Sequence, residues 1–289
     1  MNDAEKMLRC SKVCNESEEY IQQGKGYEAI DLLIKLGEQE GYAYAFARIG
    51  DLYFCAMGGV EENNEAALRY YERAAELGDP YGSYCAARSY LNGYGVEINY
   101  SKAFKHLQNG INSTITDAKL QLALCYILGR GTLLDEKEGA RWMQIAADDG
   151  NAEAQGNMGI IYRDGLSVSS NRDMAIRWFR TAIENGNCQA RFELAGLLGF
   201  EEIDGESYAT SNKRDLEEAF NLLNEAINID EDVRAYQRLA VFYLNGFVVP
   251  KDVDKAHELI EIASNQGNAV AQEELKHYKK SLFGKWSYV

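Results

Sequence analysis

Proline is scarce in this 289-residue chain, with only Pro80 and Pro250, both outside the stretches of helical period. Proline removes a backbone donor and breaks helix interiors, so its scarcity fits an all-helical chain. Histidine is scarce as well. His106, His257 and His277 lie far apart, each on an expected helix, and no histidine-based catalytic triad can be assembled from them. No run approaches the ~20 apolar residues that a membrane helix requires. The opening MNDAEKMLRC holds no apolar stretch that could serve as a signal peptide, so a cytoplasmic location is expected. Basic runs are missing too: the densest, Lys276 to Lys280, is short, and 45 acidic residues face 30 basic ones for a net charge of −15. Nucleic acid and an anionic membrane surface are therefore not expected partners. A basic partner is compatible with the charge, although acidic solubility is the plainer account.

What the chain does have is a period. Tyr53, Tyr90, Tyr126, Tyr162, Leu198 and Tyr243 follow one another at steps of 37, 36, 36, 36 and 45 residues. Three residues before each stands a small one: Gly50, Ala87, Ala123, Gly159, Ala195 and Ala240. Eight residues before stands another: Ala45, Gly82, Ala118, Ala154, Ala190 and Ala235. Self-similarity at this spacing denotes a solenoid of stacked supersecondary units, none of which can bury its apolar face alone. In the unit from Asn151 to Gly186, Ala154, Met158, Gly159 and Tyr162 share one helical face. Asp164-Gly165 ends that helix. A second helix from about Arg172 to Ile183 places Ala175, Trp178, Phe179 and Ala182 on one side. Small residues let two helices approach, and the tyrosine fills the space beside the contact. The tyrosines are thus expected to fix the fold, leaving function to the residues around them.

The departures locate what differs between units. The fifth carries leucine in place of tyrosine and about eight extra residues within Phe200 to Asp215, polar and without helical period, read here as a mobile loop. The second helix of the second unit stops early, at Asn109-Gly110. Residues 1–42 are expected to form a helical hairpin that caps the array, with a tight turn at Gly24-Lys-Gly26. Residues 43–268 hold six units. Residues 269–289 make a capping helix from Ala269 to Lys280 and a tail whose Leu282, Phe283, Trp286 and Tyr288 fold back onto it. The six cysteines are Cys10, Cys14, Cys55, Cys85, Cys125 and Cys188. The last four occupy four different repeat positions. A repeated bridge would repeat its cysteines, so reduced thiols acting as small apolar residues are expected.

The pattern Ala-x3-(Leu)-Gly/Ala-x2-Tyr-x2-Gly, a variable loop, then Lys/Met-Ala-x2-Trp/Tyr/Leu-x3-Ala-Ala-x2-Gly, resembles the Sel-one-like repeat (SLR), a relative of the tetratricopeptide repeats. Its cleanest copies are Ala154 to Gly186 and Ala235 to Gly267. The resemblance implies an all-α, right-handed α/α superhelical solenoid whose first helices line a concave face. It also implies a role as adaptor or scaffold. Cysteine-rich bacterial relatives have been linked to penicillin binding and β-lactam hydrolysis. Those carry a cysteine pair in every repeat, which this chain does not, so that activity is not carried over.

Motifs that suggest chemistry dissolve into the repeat. Gly93-Tyr-Gly95, Gly129-Arg-Gly131 and Gly58-Gly59 look like phosphate-cradling loops, but a helix precedes each and all fall at the same turn, whereas a dinucleotide fingerprint needs a strand. His106 replaces Tyr70, Trp142 and Trp178 of other units and reads as a packing residue. Cys10 and Cys14 are one helical turn apart, with no second pair to complete a metal site. No enzyme, cofactor or metal is expected. With the geometry that the resemblance implies, the groove receives Tyr81, Tyr84, Arg88, Leu124, Ile127 and Arg163. Apolar anchors beside arginines suit a protein or peptide carrying acidic groups. The expectation is a non-enzymatic protein- or peptide-binding scaffold. The alternatives are a regulatory sensor for a small peptide or metabolite and, for Leu120, Leu124 and Leu128, a role in the core. Self-association through apolar ends or grooves stays open.

Overall fold

The computed structural model describes residues 3–111, 114–203, 206–281 and 284–289, which form two compact units, Met1–Asp149 and Gly150–Val289. The first unit consists of α1 (Asp3–Gln22), α2 (Gly26–Glu40), α3 (Ala43–Phe54), α4 (Asn64–Glu76), α5 (Pro80–Asn92), α6 (Tyr100–Asn109), α7 (Thr116–Leu128) and α8 (Glu136–Asp148). Successive helices pack as pairs, α1 on α2, α3 on α4, α5 on α6 and α7 on α8, and each pair docks on the next. The second unit holds α9 (Ala152–Asp164), α10 (Arg172–Glu184), α11 (Ala190–Gly199), α12 (Lys213–Asn228), α13 (Val233–Asn245), α14 (Val253–Asn265) and α15 (Ala269–Glu274) in the same pairing order. As expected, α6 is short, ten residues against thirteen in α4, α8, α10 and α14.

The small residues three before the period position are all buried, and their lack of bulk is what admits the facing aromatic ring. A Cβ added to Gly50 would stand 2.4 Å from the Tyr71 ring, and one on Gly159 2.5 Å from that of Phe179. Tyr71 and Phe179 are in turn among the largest fully buried side chains. Each such burial contributes roughly 1.5–3 kcal/mol relative to exposure. The periodic tyrosines themselves sit at the edge of this core. Tyr90 is buried, while Tyr53, Tyr126, Tyr162 and Tyr243 are half-buried. Their rings lie on aromatics of the second helices: Tyr53 stacks on Tyr70 at 5.9 Å, Tyr90 on His106 at 5.9 Å, and Tyr126 meets Phe104 edge-on at 5.3 Å. His106 is thus a packing residue, and burial holds its imidazole below the ordinary value.

A second recurrent device lies in the backbone. The carbonyl of the periodic tyrosine accepts the N–H of the residue that caps the second helix: Asn63 to Tyr53, Asn99 to Tyr90, Asp135 to Tyr126, Asn171 to Tyr162 and Asp252 to Tyr243, all at 2.8–3.0 Å. The side chains of the same Asn and Asp residues accept the first free helical N–H groups, which satisfies donors that a helix start leaves orphaned. One residue therefore closes the inter-helix loop and starts the next helix. Among the described residues, the glycine-rich turns serve the same stacking: a Cβ on Gly131 would meet the Tyr100 carbonyl of α6 at 2.1 Å.

Two expectations need correction. The extra segment of the fifth repeat is not an irregular loop: β1 (Phe200–Ile203) pairs antiparallel with β2 (Glu206–Ala209), Phe200 opposite Ala209 and Ile203 opposite Glu206. Only Asp204 and Gly205, which lie outside the described residues, separate the last pair, and Asp-Gly is a dipeptide that two-residue hairpin connections favour. Nor does the terminal helix run to Lys280. It ends at Glu274, passes through a 3₁₀ turn at Leu275–His277 and gives way to β3 (Tyr278–Lys280), which pairs with β4 (Trp286–Tyr288). The reversal lets Tyr278 and Trp286 both reach His257 of α14, at 5.2 and 3.6 Å between ring centroids. The tail thus folds back as expected at Trp286, while Leu282 and Phe283 lie outside the described residues.

Candidate functional site

The expected groove residues fall in both units. Tyr81, Tyr84 and Arg88 stand on α5 and Leu124 and Ile127 on α7, all in the first unit; Arg163 stands on α9, in the second. In the first unit the side chains of α3 and α5 meet around a buried carboxylate. Asp51 Oδ1 accepts the hydroxyls of Tyr71 at 3.0 Å and Tyr81 at 3.1 Å, and its Oδ2 accepts Arg48 Nη1 at 3.1 Å. Arg48 reaches onward to Glu18 at 2.9 Å. Three donors on one carboxylate compensate its burial, since an unpaired buried charge is costly. Burial raises the Tyr81 and Tyr71 hydroxyls well above the ordinary phenol value, with Asp51 and Cys85 pushing the same way. The Tyr81 hydroxyl is therefore already committed, while its ring lies 6.1 Å from that of Tyr44.

Beyond this network the face is aromatic. Tyr84 packs against the cores on both sides, near Tyr90 and near Leu122. The Arg88 guanidinium lies over Phe54 at 4.9 Å and Tyr84 at 6.0 Å, and forms no ion pair with a described residue. Leu124 is half-buried. Ile127 is half-buried too, its Cγ1 filling the space that Gly139 of α8 leaves open.

In the second unit α9, α11 and α13 frame an open cleft of about 830 Å³. Arg163 is tied down on its wall: its Nε and Nη2 donate to both Asp164 oxygens at 2.6 and 2.9 Å, and its Nη1 donates to Glu193 Oε2 at 2.7 Å. Arg172 donates to the Leu197 carbonyl at 3.1 Å. Arg234 of α13 donates to Asp232 at 2.7 Å and to Glu193 at 3.5 Å. Arg238 differs from these three. It lies in the cleft with its guanidinium carbon 4.4 Å from the Phe192 ring centroid, Arg234 holding a like position at 4.2 Å. A Cβ on Gly196 would stand 1.8 Å from Arg238 Nη1, so the guanidinium crosses α11 where no side chain exists. Burial pulls Arg238 below the ordinary guanidinium value; Arg163 and Arg234 act in the same direction and Glu193 against it.

Sequence reasoning passed over Arg238. It stands five residues before Tyr243, apart from the recurrent small positions three and eight before that tyrosine. The available signal was the glycine at position 196, where other repeats carry Asp51, Arg88, Leu124, Ile160 and Val241. An arginine on the neighbouring first helix is long enough to cross that gap.

Among the described residues, no helix is long and apolar enough to cross a membrane. No curated protein matches the chain significantly. Solved structures do. A Sel1 repeat protein from Oxalobacter formigenes superposes with a TM-score of 0.70 at 24% identity, over 87% of this chain and 96% of that one. The protective antigen c5321 of uropathogenic Escherichia coli, which displays an SLR fold, gives a TM-score of 0.63 at 22% identity over 92% of this chain; the likeness spans 63% of the antigen's length. These likenesses show the all-α solenoid fold of SLR helix pairs. The Sel1 repeat pattern itself matches at residues 43–79, 83–112, 116–151, 152–187, 205–229 and 233–268. With six copies over most of its length, the chain belongs to the Sel1 repeat family, whose members are generally non-catalytic scaffolds for protein interaction.

Proposed function

We propose that this protein is a non-catalytic adaptor that engages a protein or peptide along the first-helix faces of its repeats. One observation carries the reading. At positions that do not repeat, the first unit brings Phe54 and Tyr84, both half-buried, around Arg88, which no described residue neutralises. Rigid aromatic rings supply contact area at low entropic cost, and aromatic residues and arginine are enriched among the side chains that dominate interface energetics.

The test is affinity capture from lysate with wild type against Tyr84→Ala/Arg88→Glu, with helical content compared by circular dichroism. The expected result is loss of specific partners from the variant at unchanged helicity. Identical partner sets for the two proteins would sink the assignment.

A further inference from the structure

Resting on the adaptor reading, the geometry of the second unit points to a defined subsite: we infer that Arg238 receives an acidic side chain of the bound peptide, with Phe192 as the floor beneath it. Four observations converge. Each of the other arginines of this region has a partner, Arg163 on Asp164 and Glu193, Arg172 on the Leu197 carbonyl, and Arg234 on Asp232. Arg238 has no ion pair or hydrogen bond with a described residue, and its guanidinium faces a cleft of about 830 Å³. That volume lies within the range of pockets that enclose drug-sized ligands. Its orientation is built in, since Gly196 leaves the channel that the guanidinium occupies and the Phe192 ring supports it from below.

The charges around it explain the chemical preference. Two acids act on Arg238, Glu193 and Asp232, yet the oxygens of both are engaged, Glu193 Oε2 by Arg163 and Oε1 by Arg234, and both Asp232 oxygens by Arg234. Asp164 is bidentate on Arg163. Arg238 thus stands among like charges with the local carboxylates already consumed. A carboxylate supplied from outside would gain charge-assisted hydrogen bonds in a partly desolvated site, where such contacts are stronger than in water. An amide of the same shape lacks the charge and is discriminated against. In a chain of net charge −15, a cationic pocket is also where an acidic segment escapes general repulsion.

The probe is an immobilised array of acetylated, amidated heptapeptides with a fixed central Glu and mixed uncharged flanks, beside the matching array with Gln. Wild type is expected to retain Glu peptides about tenfold over Gln ones, the scale of one charge-assisted contact. Arg238→Met keeps the aliphatic stem over Phe192 and removes the charge; it should bring the ratio close to one at an unchanged melting temperature. Gly196→Ala keeps the charge but displaces the guanidinium, and should lower the ratio without changing the charge of the protein. Retention without Glu preference in wild type, or a preference that survives both substitutions, overturns the subsite while leaving the adaptor reading intact. No retention of either array also overturns the subsite, while the adaptor reading stands or falls on the lysate capture with the Tyr84→Ala/Arg88→Glu variant.

Discussion

Val248 stands in the left-handed region, with φ of 62°. That conformation costs an L-residue roughly 1–2 kcal/mol, and a β-branched side chain tolerates it poorly. The two-residue offset from the helix-ending glycine explains why it is there. Gly95 and Gly131 hold the same offset in earlier repeats, with φ of 68° and 77°, and Ser167 holds it at 60°. The loop geometry is fixed by the hydrogen bond from the capping residue to the periodic carbonyl, Asp252 to Tyr243 here at 2.8 Å. The side chain at position 248 must then accept whatever φ results. Val248 is exposed, so removing it forfeits little burial. Val248→Gly is expected to stabilise the protein by about 0.5–1 kcal/mol, the relief of strain net of glycine's extra chain entropy. Urea unfolding measures it, and a destabilised variant would show that Val248 has a packing role that its exposure conceals.

At the scale of elements, helix pairs were legible and strands were not. The 36-residue period marks every pair from α3 to α14 because a buried small residue cannot vary where a ring such as that of Phe179 fills the space above Gly159. The capping Asn and Asp residues were visible in the sequence, yet a period of tyrosines and alanines draws attention away from them. The hairpin of β1 and β2 carries its own Asp204-Gly205 turn signal, which a search for helical period does not register. The C-terminal hairpin was hidden for a different reason: Tyr278 and Trp286 are strand residues because of what they reach on α14, a tertiary fact. That contact predicts pH dependence. His257 is buried against Trp286, and its imidazole sits below the ordinary value, desolvation acting first, Glu261 and Asp254 opposing it and Lys280 adding to it. The unfolded chain therefore binds the proton first as pH falls below about 6.5. The stabilising contribution is complete above that pH and is lost as pH falls towards the folded-state value. His257→Phe retains a ring for Trp286 and has no proton to bind. The drop in melting temperature between pH 7.5 and pH 5 should be smaller in this variant than in wild type, with His106 still contributing; an equal drop would exclude His257 as a source.

For the molecule as a whole, stability resides in contacts between neighbouring helix pairs, so opening is expected to be local and ordered along the chain. The cysteines report on this without any mutation. All six are free; Cys55 and Cys188 are exposed, Cys14 is half-buried, and Cys10, Cys85 and Cys125 are buried on α1, α5 and α7 of the first unit. Burial pushes the Cys85 thiol up to about 12 and the Cys125 thiol up to about 11, far from the thiolate form that reacts. Alkylation at pH 8 should therefore modify Cys55 and Cys188 rapidly and leave the three buried thiols protected. In mild urea the order among those three carries the information. Cys10 lies on α1, which packs on α2 and closes around Leu33 and Phe46, whereas Cys85 lies on α5, whose pair has α3–α4 before it and α7–α8 after it. Local opening should expose Cys10 at a lower denaturant concentration than Cys85, read by mass spectrometry of the alkylated peptides. Simultaneous labelling of all three would instead mean that the first unit unfolds as one cooperative block, and that coupling between its helix pairs exceeds what nearest-neighbour stacking provides.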